Sequence, residues 1–139
     1  MKENETLIRV NPINVEESDF SKTGPISFRA VFEEISVSQI AHLDIRCPGS
    51  DSVRVQLDQG ETSLGRSSNC RVQINLPDVS REHARITFHH EEYQIEDMDS
   101  TNGTYVNGVR IKNCILRNHD QIQIGAAKVY FIEQKRPKK

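Results

Sequence analysis

Three short phrases concentrate the residues that could do chemistry: Leu64-Gly65-Arg66-Ser67, then Ser80-Arg81-Glu82-His83-Ala84, then Ser100-Thr101-Asn102-Gly103 running on through Thr104-Tyr105-Val106-Asn107-Gly108. Each is a polar or glycine-containing break beside a run of strand-like alternation, so each reads as a loop on a β scaffold, where binding groups are usually held. The first supplies a guanidinium, the second a hydroxyl beside another guanidinium, and the third a hydroxyl beside a carboxamide. Together they suit a phosphorylated peptide, and they lack an obvious catalytic base.

The elements that must position these loops are β-strands. Leu43-Asp44-Ile45 alternates, and Cys47 to Ser52 breaks it with turn formers. Val53, Val55 and Leu57 follow at period two, and Val72 and Ile74 make a short strand. Ala84, Ile86 and Phe88 put an apolar face on the next strand, and Tyr93-Gln94-Ile95-Glu96 looks like its hairpin partner across His90-Glu91-Glu92. Asn107-Gly108 has the composition of a type I′ hairpin turn, whose two central residues need positive φ. It joins Thr104-Tyr105-Val106 to Val109-Arg110-Ile111, and Ile122-Gln123-Ile124 and Val129 to Ile132 close the sheet. Many short strands at close spacing predict an all-β sandwich of two mostly antiparallel sheets.

Residues 1–42 read as an N-terminal extension. Asn11-Pro12 and Gly24-Pro25 break regular structure there, and residues 1–22 are expected to be flexible. Phe28, Val31, Phe32 and Ile35 fit a helix over residues 27–35, while Phe28, Ala30 and Phe32 fit a strand equally well.

At 139 residues the chain fits one domain with some excess at its ends. Its three cysteines, Cys47, Cys70 and Cys114, form no close pair, which argues against a disulfide framework or a zinc ribbon and for free thiols. Residues 1–50 hold five Lys/Arg against eight Asp/Glu, and residues 51–139 hold thirteen against twelve. Four of those thirteen bases sit in the last five residues, so the body of the domain is not a basic nucleic-acid binder and any anion site must be local. No apolar run approaches membrane-spanning length, and Met1-Lys2-Glu3-Asn4-Glu5 lacks the character of a signal peptide. A soluble, cytoplasmic protein with no membrane contact is expected.

Gly65-Arg66, Ser80-x-x-His83 and Ser100-Thr101-Asn102-Gly103, followed by Asn107-Gly108, resemble the forkhead-associated (FHA) domain, a phosphothreonine-peptide reader. The resemblance runs from about Leu43 to Phe131 and takes in Leu64, Asn69-Cys70, Ile74-x-Leu76-x-Asp78 and Asp120-x-Ile122-x-Ile124-Gly125. It implies an FHA-type sandwich over residues 43–132, with a basic tail at 133–139. The implied function is phosphothreonine-dependent protein–protein recognition in Ser/Thr-kinase signalling, without a cofactor. Members of this family usually prefer phosphothreonine to phosphoserine.

Carried over by the resemblance, Arg66 grips phosphate, for which a planar, always-charged fork is suited. Ser80 is the second phosphate ligand, Arg81 an auxiliary contact, and Thr101 a further donor that braces its loop. Asn102 holds the ligand backbone, since an amide both donates and accepts. Gly65, His83 and Gly103 support the site structurally. Asp78 lies where the residue third after the phosphothreonine is read, so it is expected to disfavour an acid there or simply to cap the turn. A phosphorylated N-terminal segment, at Thr6 or Thr23, is a possible intramolecular ligand, although neither context reproduces the acidic, threonine-doubled motif of self-regulating relatives.

Rival readings are weaker. A hydrolase triad from Ser80 and His83 with Asp97, Asp99 or Asp120 lacks the glycines of a nucleophile elbow. His83, His89 and His90 with a cysteine lack zinc-ligand spacing. The competitor from another class is a scaffold module that keeps the fold but uses a different surface.

Overall fold

The computed structural model describes residues 7–12, 39–58 and 60–135. Twelve strands are found there and no helix: β1 (Ile8–Val10), β2 (Gln39–Arg46), β3 (Val53–Leu57), β4 (Thr62–Gly65), β5 (Val72–Ile74), β6 (Ala84–His89), β7 (Glu92–Asp97), β8 (Thr104–Val106), β9 (Val109–Ile111), β10 (Asn113–Ile115), β11 (Gln121–Ile124) and β12 (Ala127–Lys135). They form two six-stranded sheets. The first runs β1-β5-β4-β6-β7-β10 and the second β3-β2-β12-β11-β8-β9. All pairings are antiparallel except β4 with β5.

Alternation sets which side chains meet between the sheets. Leu43 and Ile45 of β2, Val129 and Phe131 of β12, and Ile122 and Ile124 of β11 are buried from one side. Leu64, Val72, Ile74, Ile86, Tyr93 and Ile95 are buried from the other. The Tyr93 and Phe131 rings meet across the gap at 5.5 Å between centroids, a tilted aromatic contact of the favoured kind. Burying each of these larger side chains contributes about 1.5–3 kcal/mol.

The predicted sandwich is observed, with several local differences. Leu64 and Gly65 end strand β4 rather than lying in a loop. The β6–β7 turn is the two-residue His90-Glu91, both at positive φ (52° and 65°), so Glu92 already belongs to β7. Asn107 and Gly108 both have positive φ (51° and 84°), as a type I′ turn requires. Within the stretch expected to be flexible, Ile8–Val10 forms β1, which pairs with β5 in the register Ile8↔Ile74 and Val10↔Val72. Asn11 extends that attachment: its carboxamide donates to the Ser68 and Cys70 carbonyls at 3.2 and 2.9 Å. The helix-or-strand alternative over residues 27–35 lies outside the described residues, as do Thr6 and Thr23. All three cysteines are free, Cys47 and Cys70 buried and Cys114 half-buried.

Candidate functional site

Three loops converge at one end of the sandwich: the turn after β4 with Arg66, the segment before β6 with Asp78 to His83, and the segment before β8 with Ser100 to Gly103. Arg66 leaves β4 with its N–H donating to the Ser80 carbonyl at 2.9 Å, and Ser67 N–H donates to the Arg81 carbonyl at 3.0 Å. This close approach is what Gly65 permits, because a Cβ there would stand 2.2 Å from the Arg81 carbonyl oxygen. Arg66 is exposed, and its Nε–H donates to the Val79 carbonyl at 2.9 Å. That bond uses one of the five guanidinium donors and restrains the side chain, leaving the other four for a ligand.

His83 ties the second and third loops. It is fully buried; Nδ1 accepts the Ser80 N–H at 3.0 Å and Nε2 lies 2.9 Å from the Gly103 carbonyl. A backbone N–H only donates and a carbonyl only accepts, so the ring is the neutral tautomer with its proton on Nε2. The Ser80 hydroxyl oxygen meanwhile accepts the Thr101 N–H at 3.0 Å, which frees the hydroxyl proton to point outward. His83 therefore faces the Ser80 backbone and not its hydroxyl, and the triad reading has no base in contact with the nucleophile.

The third loop is braced from beneath by Asp97, which the sequence offered only as a triad acid, acting on Ser100 and Thr104 of the motif itself. Asp97 Oδ1 accepts from the Ser100 hydroxyl at 2.5 Å and the Thr104 hydroxyl at 2.7 Å, and Oδ2 accepts the Ser100 N–H at 3.2 Å. The Ser100 oxygen in turn accepts the Gly103 N–H at 2.9 Å. Burial pushes the Asp97 carboxyl up, but the Ser100 and Thr104 hydrogen bonds outweigh it and hold the group below the usual aspartate value. The Asp97-x-x-Ser100 spacing was the available signal, since such residues bond locally to turn backbones. Gly103 has φ of 90°, a conformation that favours glycine.

Asn102 is exposed, and its Nδ2–H donates to the Asp78 carbonyl at 3.0 Å, spanning the second and third loops. Thr101 is exposed and joins the cluster through its backbone N–H. Arg81 is exposed and, like Arg66, makes no ion pair with any described residue. Asp78 is half-buried, and a Cβ on Gly125 would meet its carboxylate oxygen at 2.7 Å, so that carboxylate rests against the end of β11. Arg66, Ser80, Arg81, Thr101 and Asn102 are thus brought to one end, with Gly65, His83 and Gly103 beneath them. The arrangement offers two guanidinium groups without acidic partners among the described residues, a hydroxyl whose oxygen already accepts and whose proton remains to donate, and a carboxamide. Among the described residues, no group of three His, Cys, Asp or Glu side chains could hold a metal ion.

This fold and this cluster define a class. Residues 62–125 match the family model of the FHA domain, and the chain carries an FHA domain. It is 38% identical over 87 residues to the glycogen accumulation regulator GarA of Mycolicibacterium smegmatis, covering 63% of this chain and 54% of that protein. It is 37% identical over 87 residues to the oxoglutarate dehydrogenase inhibitor of Corynebacterium jeikeium, covering 63% of this chain and 60% of that one. The chain therefore spans between half and two thirds of the length of these curated relatives, which are named as a regulator and an inhibitor. Among solved structures it is similar to the yeast Dun1 FHA domain in complex with a doubly phosphorylated (pT) peptide derived from Rad53. That match has 29% identity and a TM-score of 0.58, and covers 74% of this chain and 80% of that one. No helix among the described residues is long and apolar enough to cross a membrane.

Proposed function

We propose that the chain recognises a phosphothreonine-containing segment of a protein partner, without catalysis, in Ser/Thr-kinase signalling. The observation that carries this reading is a pair of exposed arginines, Arg66 and Arg81, that make no ion pair among the described residues, on the loops that carry the Ser80 hydroxyl and are tied together by a buried histidine. A phosphate dianion fits that charge, and the bonded geometry of Arg66 means little order must be imposed when the ligand arrives. Arg66 takes two phosphate oxygens, Ser80 donates to a third position, and Arg81 and Thr101 add outer contacts. Asn102 exchanges its bond to the Asp78 carbonyl for bonds to the ligand backbone. Gly65, His83 and Gly103 hold these groups in place.

Finer assignments belong to the same reading. The module takes in β2 to β12, residues 39–135, with β1 attached, and acts in the cytoplasm, with neither membrane nor nucleic acid as partner. Asp78 disfavours an acid third after the phosphothreonine. A phosphorylated Thr6 or Thr23 occupies the same site from within the chain and competes with external peptide.

Calorimetry with phosphothreonine, phosphoserine and unmodified versions of one peptide tests the reading. Only the phosphorylated forms bind, phosphothreonine more tightly, and Arg66→Ala loses about 2–5 kcal/mol of binding while remaining folded. Equal affinity of wild type and folded Arg66→Ala would remove this residue from the site.

A further inference from the structure

We propose that the outer face of the second sheet extends the peptide site, taking an acidic tract that flanks the ligand's phosphothreonine; this rests on the phosphothreonine reading above. The strand register aligns one row of side chains across that face: Arg110 opposite Tyr105, Tyr105 opposite Gln123, Gln123 opposite Lys128 and Lys128 opposite Arg46. Buried Thr104, Val106, Ile122, Ile124 and Val129 alternate with them, so the whole row faces outward.

The row begins at the phosphate site. Arg110 leans across the hairpin onto Gly103, where a Cβ would meet its Nε at 2.7 Å, and Gly103 directly follows Asn102. A chain leaving Asn102 over β8 therefore meets Arg110 first. Neither Arg110 nor Lys128 makes an ion pair with a described residue, and both are exposed. Arg46 lies over the Tyr130 ring at 5.1 Å and within 3.4 Å of Asp44. With Arg54 opposite Asp44, the described side chains of this face include four Lys/Arg and one carboxylate. The protein as a whole carries a net charge of −2.

The spacing suits an extended peptide. Arg110 and Lys128 are three strand spacings apart, about 14 Å, which an extended chain covers in about four residues. Acids separated by that distance on one flank would reach both cations.

Fluorescence anisotropy with phosphothreonine peptides carrying a four-residue tract on either flank, acidic or neutral, tests this. One acidic flank should raise affinity about three- to tenfold over the neutral peptide at low ionic strength, less in salt. That ratio should fall to about one in the Arg110→Ala/Lys128→Ala double variant, and Lys128→Glu should lower it further than Lys128→Ala. A ratio of one in the wild type, or a ratio kept in the double variant, overturns the strip while leaving the phosphate site standing. A neutral-flank phosphopeptide that fails to bind wild type overturns the phosphothreonine reading beneath it. Binding of a single-stranded DNA oligonucleotide that disappears in the double variant, without any flank preference, would reassign the strip to nucleic acid.

Discussion

His83→Leu tests the connection between the loops most directly. Leucine keeps much of the imidazole volume in a fully buried position, so cavity effects stay small and the polar loss dominates. The Ser80 N–H and the Gly103 carbonyl both lose their partner, at 3.0 and 2.9 Å in the wild type. A buried polar group left unpaired costs about 1–3 kcal/mol, so the two together cost about 2–6 kcal/mol. Ser80 is half-buried and can recruit water, which favours the lower half of that range. Total stabilities of about 5–15 kcal/mol make this a large fraction. With a urea slope of about 2 kcal/mol per molar, the midpoint should fall by about 1–2 M. The chain has no tryptophan, so far-UV circular dichroism is the suitable signal. Phosphopeptide affinity should also fall under conditions where the variant is folded, because the Ser80 and Asn102 loops lose their common support. An unchanged urea midpoint, or full affinity in a less stable variant, would refute the role given to this ring.

Asp97 makes acid stability a second test: its folded pKa lies below the unfolded value, so its contribution is present above about pH 4 and is lost as pH falls through the depressed value. Asp97→Asn should flatten that acid limb, and an acid titration identical to wild type would show that the carboxylate is not stabilising the loop. Gly65→Ala places a Cβ 2.2 Å from a backbone oxygen, so a loss of about 3 kcal/mol is expected in denaturant titration, and a neutral outcome would mean the Arg81 segment moves freely. His90→Asn with Glu91→Gly should raise stability by about 1 kcal/mol, since both turn positions have positive φ; no gain in the urea midpoint would argue against strain there.

Where the sequence speaks locally, it was readable. Alternation at Ala84, Ile86 and Phe88 and the Asn107-Gly108 pair carry their own geometry, because side-chain period and turn dihedrals depend on adjacent residues. Strand β4 was harder, since Thr62-Ser63-Leu64-Gly65 is half polar and borrows its strand character from the neighbours on both sides. Strand β1 depends wholly on β5, more than sixty residues away, and no local pattern announces such a pairing. His90-Glu91 has the conformation of a primed turn without its usual residues, so the hairpin was legible from alternation while its two-residue turn was not. At the site, the placement of the motif residues at one end of the sandwich was legible from their spacing, whereas the brace at Asp97 had only the faint local signal of Asp97-x-x-Ser100. Its work is done through three hydrogen bonds that exist only once the loop has turned back over it. Arg110 was nearer to hand, because a two-residue turn at Asn107-Gly108 places it opposite Tyr105 and diagonal to Gly103.

The attachment of Asn11 to the loop after Arg66 bears on how the molecule opens. Its carboxamide holds the Ser68 and Cys70 carbonyls, its N–H donates to the Arg71 carbonyl, and Asn75 N–H donates to the Leu7 carbonyl. Detaching β1 therefore releases part of the arginine loop as well, and such residues should exchange their amide hydrogens as one cooperative unit with a shared opening free energy. The family match begins at residue 62. The described contacts of that loop reach back to residue 7, and a chain shortened to the matched region would carry the arginine on a loop that has lost one of its walls.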